Sequence, residues 1–143
     1  MKRAMSRVGI LSAVGTLALV SSLSQAGIAN AATFSGKWKL TAAIDATTNT
    51  ASHTTNSTGE VSTCVKVSSL GGVGGVWSYQ LIWFDGGKNK VLWHSGDTEG
   101  KATICSPIKR PGRNDKVYDH IILINDGAGI EVQDSGTYSI NTH

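Results

Sequence analysis

The chain has 143 residues, 40% of them hydrophobic and 16% charged, and a formal net charge of +3 at neutral pH. Three of its thirteen basic residues are Lys2, Arg3 and Arg7, and without them ten basic residues stand against ten acidic ones. So even a balance lacks the basic excess with which nucleic-acid binders neutralise phosphate, and no nucleic-acid partner is expected.

Behind the three basic residues, 8–20 are uncharged and mostly apolar, and small residues lead to Ala29-Asn30-Ala31. A positive start, an apolar middle and an A-x-A end make a cleavable export signal over 1–31. Its apolar part falls short of the roughly 20 residues a spanning helix needs, so no membrane partner is expected. What remains, 32–143, is the length of one domain, expected in a bacterial extracellular protein. Cys64 and Cys105 lack CxxC spacing and His partners for zinc, and in an exported chain they are expected to form one disulfide. Closing a loop of that length is worth about 4 kcal/mol in the chain-entropy account.

Residues 35–45 alternate, with Trp38, Leu40, Ala42 and Ile44 on one parity and Lys37, Lys39 and Thr41 on the other, which predicts a half-buried strand. Residues 46–59 are Thr, Asn, Ser and Ala around His53, without apolar period, and are expected to form a mobile polar loop. The sequon Asn56-Ser57-Thr58 has no expected use in a bacterial protein. A second strand over 60–68 puts Val61, Thr63, Val65 and Val67 on one face and Cys64 on the other. Gly71-Gly72-Val73-Gly74-Gly75 breaks the pattern as a flexible turn; with a strand and not a helix behind it, it is no phosphate cradle.

The aromatic strand 77–84 meets 90–95 across Asp85-Gly86-Gly87-Lys88-Asn89, a hairpin signal. A three-residue loop would set Trp83 opposite Val91 and Leu81 opposite Trp93, whereas a Gly-Gly loop would pair Trp83 with Lys90 and Gln80 with Trp93. The first keeps one face apolar and is preferred. A strand over 101–105 leads into a locally basic loop, 106–115, that holds both prolines. Residues 117–124 end in Ile121-Ile122-Leu123-Ile124, apolar on both faces and therefore expected at the centre of a sheet. After a turn at 125–129, short strands over 130–133 and 137–141 flank Asp134-Ser135-Gly136. Seven or eight short strands without a segment of helical period predict an all-β fold, an antiparallel β-sandwich or small barrel.

Chemistry-bearing residues do not group in sequence. There is no G-x-S-x-G elbow, and His53, His94, His120 and His143 have no metal-ligand spacing, so neither catalytic residues nor a metal or other cofactor are expected. A small ribonuclease would need His120, Glu99, Arg110 and Arg113 to converge. Calcium would need Asp126, Glu131 and Asp134, which lack the ligand alternation of a calcium loop. Four Trp raise a carbohydrate-binding alternative, with Trp77 the candidate exposed platform. In the basic loop, Lys109, Arg110 and Arg113 are candidate binding residues, Lys109-Arg110 beside Pro111 as bait for a trypsin-like pocket.

Two short segments resemble known families. Phe34-Ser35-Gly36-Lys37-Trp38 resembles the G-x-W start of lipocalin and avidin-type barrels, which implies a Trp plugging a barrel base. Asp134-Ser135-Gly136-Thr137-Tyr138 resembles the tyrosine corner of immunoglobulin domains, although Ile140 stands where the partner Cys should be. The expected role is a secreted, non-enzymatic binding module whose partner is another extracellular protein: a hydrolase inhibitor, an adaptor or a toxin component.

Overall fold

The computed structural model describes residues 31–42, 45–71, 75–124 and 132–143. The segment expected to be an export signal lies outside them except for Ala31, as do Ile44, most of the glycine run, the expected turn at 125–129 and the carboxylates Asp126 and Glu131. The described residues contain ten strands and no helix: β1 (Ala32–Ala42), β2 (Ala46–Asn49), β3 (His53–Thr54), β4 (Val61–Ser69), β5 (Val76–Asp85), β6 (Lys88–His94), β7 (Thr98–Glu99), β8 (Thr103–Cys105), β9 (Lys116–Ile124) and β10 (Val132–Thr142). They form two antiparallel sheets. One has four strands in the order β1-β10-β4-β8; the other runs β2-β9-β5-β6, with β3 also on β9 and β7 also on β5.

Alternation along the strands supplies the core. Trp38, Val61, Val65, Val67, Tyr138 and Ile140 come from the four-stranded sheet, and Trp77, Tyr79, Leu81, Val117, Ile121 and Leu123 from the six-stranded one, in a single buried cluster. Phe34 on β1 stacks on His53 of β3 with ring centroids 4.4 Å apart, which joins the two sheets at one side. Burial of the His53 ring lowers its pKa, since a charged imidazolium would lose its hydration there.

The disulfide is present, Cys64 to Cys105. The two are directly opposed cross-strand neighbours on β4 and β8, so the bridge ties the strand before the aromatic hairpin to the strand after it.

Several expectations are corrected. Residues 46–59 are not loop throughout, because β2 and β3 within them pair with β9 and a Thr side chain after each strand adds a further backbone bond. Thr50 Oγ1 accepts from Asp119 N at 2.9 Å and Thr55 Oγ1 from Asp115 N at 3.0 Å, and both Thr residues are buried. Polar side chains that bond backbone carry no apolar period, which hid these strands. The hairpin takes the Gly-Gly turn, with Gly86 and Gly87 at φ 55° and 96°, and Trp83 therefore pairs with Lys90. A bulge between Leu81 and Ile82 then shifts the register, so that Leu81 still meets Trp93, and both Leu92 and Trp93 pack on the core. Asp134-Ser135-Gly136 is no turn: β10 runs through it with a register shift between Ser135 and Gly136.

Gly136 is required by sterics. A Cβ there would overlap the Lys66 carbonyl oxygen and lie 2.7 Å from Trp38 Nε1, which itself donates to Lys66 O at 3.3 Å. Tyr138 likewise covers Gly36 in mid-strand, so it forms no corner of the immunoglobulin kind. Trp38 packs in a cluster to which both sheets contribute.

The interior also buries ionisable groups. Asp119 on β9 is fully buried, and neither carboxylate oxygen makes a hydrogen bond of good geometry. Loss of hydration pushes its pKa from 3.8 up to about 7, only partly offset by the nearby Thr63 hydroxyl. Tyr79, also fully buried, has its pKa raised chiefly by the same desolvation. Its hydroxyl lies 3.1 Å from Thr63 O and 3.2 Å from Ile104 O, and so crosses from the six-stranded sheet to β4 and β8 of the other.

Two outcomes are expected. Gly136→Ala should destabilise by more than about 2 kcal/mol, because backbone must move. Gly96→Ala, at φ 74° with open space around it, should cost about 1 kcal/mol. Urea unfolding with the disulfide intact compares them. Asp119 should make stability pH-dependent: between pH 4 and 7 the native state holds a proton that the unfolded chain releases. Stability is then fully present below about pH 4, is lost as pH rises through 7, and the total is on the order of 4 kcal/mol. His53 acts in the opposite sense, losing stability as pH falls through its lowered pKa. Asp119→Asn should flatten the decline between about pH 4 and 7, and an unchanged slope of stability against pH there would contradict this account.

Candidate functional site

Trp77 is not an exposed platform. It begins the inward parity of β5, is fully buried, and donates from Nε1 to Gly100 O at 2.8 Å. Trp38 is buried as well, Trp93 packs edge-on against Tyr79 with centroids 5.2 Å apart, and Trp83 lies under Lys90 Nζ, 4.9 Å from its ring centroid. All four turn toward the core, where area burial is largest for such rings.

The basic loop is clamped to β4. Ser106 N donates to Thr63 O at 2.7 Å while Thr63 N donates to Ser106 Oγ at 3.0 Å, and Lys109 exchanges both backbone bonds with Val61. Arg110 is exposed but bonds Glu60 Oε1 through Nε and Nη2, at 2.7 and 2.6 Å. Arg113 is exposed beyond Gly112, whose carbonyl accepts from Thr55 Oγ1. Lys109, Arg110 and Arg113 thus share one loop, while Trp77 sits in the core away from them. Between the clamps, Ile108 projects at 52% exposure.

The residues considered for RNA cleavage are spread along the sheet. On β5, Val76 pairs with Glu99 and Gln80 with His120, four residues apart and so about 13 Å along the strand. Arg113 lies ahead of Lys116, the opposite end of β9 from Ile124, which also pairs with Val76. Asp134, the described member of the calcium trio, is buried and accepts from Gly71 N at 2.7 Å. No group of three or more His, Cys, Asp or Glu suited to a metal ion occurs among the described residues.

A coherent surface does form on the outward face of the six-stranded sheet. Inward residues of β9 are Val117, Asp119, Ile121 and Leu123, so Tyr118, His120, Ile122 and Ile124 point out. Register sets Asn49, His120, Gln80 and His94 in one row across β2, β9, β5 and β6. His120 Nδ1 donates to Asn49 Oδ1 at 2.6 Å, which fixes the ring. Beside it runs an apolar row, Tyr118, Ile82 and Val91, followed by Phe84. Val91 is 55% and Phe84 45% exposed, whereas Ile82 between its neighbours is 5% exposed and lies outside the core cluster.

An apolar ridge beside a row of amide and imidazole groups can bury area and satisfy hydrogen bonds at once, the composition of a docking surface. It offers no activated nucleophile. Sequence reasoning missed it although its signal was present: Ile122 and Ile124 gave β9 a second apolar parity. In sequence that parity reads as the mark of a central strand, and β9 does lie between β2 and β5.

No helix among the described residues is long and apolar enough to cross a membrane. No family model, no curated protein and no solved structure matches the chain.

Proposed function

We propose that the chain is a secreted, non-enzymatic binding module, a two-layer sandwich released by cleavage of residues 1–31, whose outward six-stranded face docks another extracellular protein. The observation that carries this reading is the pair Val91 and Phe84, half exposed on regular strands next to Tyr118 and the His120–Gln80–His94 row. Isolated exposed apolar residues are common on any protein; a contiguous row on one rigid sheet is the kind of patch that marks an interface.

A rigid face suits recognition without reorganisation. The ladder holds each side chain in place before the partner arrives, so little entropy is lost on docking. Tyr118 is the natural anchor, since aromatic residues dominate such interfaces. An adaptor or a component of a secreted assembly fits this better than a trypsin-directed inhibitor, because Lys109 and Arg110 spend their hydrogen bonds on Val61 and Glu60. The carbohydrate alternative loses its Trp platform, as all four rings face inward.

The test is comparative capture from the culture fluid of the producing organism with the wild type and with Phe84→Arg/Val91→Arg. Both positions are exposed, so folding stability should change by about 0.5 kcal/mol or less per site. The expected result is a protein retained by the wild type and lost at least tenfold by the double variant. Equal retention by both would refute the face, and a wild-type dimer that the variant dissolves would reassign it to self-association.

A further inference from the structure

The outward face of the four-stranded sheet has another chemistry. Across it in register lie Lys37 on β1, Thr137 on β10, Lys66 on β4 and Thr103 on β8. On one side follows the row Ser35, Ser139, Cys64 and Cys105; on the other, Lys39 stands opposite Ser135. Two adjoining concavities of about 430 Å³ each open here, and Lys37 and Thr137 line both.

Among the described residues the charge on this face meets no ion-pair partner. Lys37, Lys39 and Lys66 are exposed, and none belongs to an ion pair among the described residues. No described carboxylate of β1, β4, β8 or β10 points outward there: Asp134 is buried, and Glu60, just ahead of β4, is bonded to Arg110. Lys37 and Lys39 are two residues apart, about 7 Å, and Lys37 and Lys66 are two strands apart, about 10 Å. With roots about 7 and 10 Å apart, a chain carrying repeated charges can meet all three ammonium groups without drawing the like charges together.

We propose that this face binds a linear anionic polysaccharide of the uronate type, its carboxylates on Lys37, Lys39 and Lys66 and its hydroxyls on the flanking Ser and Thr. Trp38 and Tyr138 line the concavities but are buried, and among the described residues no outward position of these strands is aromatic, which disfavours single-stranded nucleic acid. None of the described outward positions carries a large apolar side chain to enter a lipid interface. Rows of hydroxyls between separated point charges match a ligand that alternates hydroxyl and carboxylate. Lying on the opposite sheet from the protein-docking face, it would let one small domain hold a partner against an anionic matrix.

The probe is immobilised polygalacturonate, with RNA, polyphosphate and anionic phospholipid vesicles as parallel arms, at low and raised salt. The expected result is salt-sensitive binding of the secreted protein to polygalacturonate, weakened roughly tenfold or more by Lys37→Gln/Lys66→Gln. Lys88→Gln/Lys116→Gln, with the same charge change elsewhere, should bind within about twofold of wild type. Equal loss in both double variants would overturn the site. Stronger binding to RNA, polyphosphate or vesicles would overturn the ligand class, and no binding to any polyanion would overturn both.

Discussion

The arrangement of the two sheets depends on a polar crossing inside an apolar core. Tyr79 belongs to β5, yet its hydroxyl lies between the carbonyls of Thr63 and Ile104, on β4 and β8 of the other sheet. A buried phenol must find an acceptor, and here both candidates stand on neighbouring strands that the Cys64–Cys105 bridge also joins. Hydrophobic contact alone would let the sheets slide over one another, since it has no direction. The directed bond sets where β5 lies over β4 and β8, and with it which residues of each sheet face outward. Asp119 beside this crossing is an uncompensated cost in the same cluster, tolerable at neutral pH only because its raised pKa keeps part of the population protonated.

Once the sheets are placed, strand period does the rest. Each strand that gives alternate residues to the core must present the others to solvent, and the two outward faces are therefore written into the same strands as the core. In the four-stranded sheet those alternate positions are Lys, Ser and Thr. In the six-stranded sheet they include Tyr118, Ile82, Phe84 and Val91. The asymmetry lies in the sequence of the outward parity, and the interior gives no reason for it. Solubility would be served by Lys and Thr on both.

Elements with apolar alternation were legible in the sequence: β1, β4 and β9 fall within a few residues of their expected places, and the disulfide follows from compartment and spacing. Elements held by other means were not. β2 and β3 are each followed directly by a Thr whose side chain bonds backbone, and no period reveals that. Gly136 carries the marks of a turn residue, but its lack of a Cβ serves close packing of β10 against Lys66 O and Trp38. In the hairpin both rival registers hold part of the answer, because a bulge is a local defect that alternation counts cannot locate. Trp77 was misplaced for a related reason. A neighbouring glycine run made it look exposed, while parity with Tyr79 and Leu81 already assigned it to the core.

Net charge misleads in the same way as an average over faces. Outside residues 1–31 ten positive and ten negative groups stand in balance, and their equality argues against a uniformly basic molecule. It says nothing about segregation. Asp85, Asp97, Glu99 and Asp115 stand at the hairpin, on β7 or in loops, and Asp119 and Asp134 are buried, while Lys37, Lys39 and Lys66 share one sheet face. With a screening length of about 8 Å in physiological salt, a ligand on that face feels the lysines within reach far more than the carboxylates at the far ends of the other sheet. A neutral protein can therefore carry a cationic surface, and the period of two along β1 and β4 is what creates it.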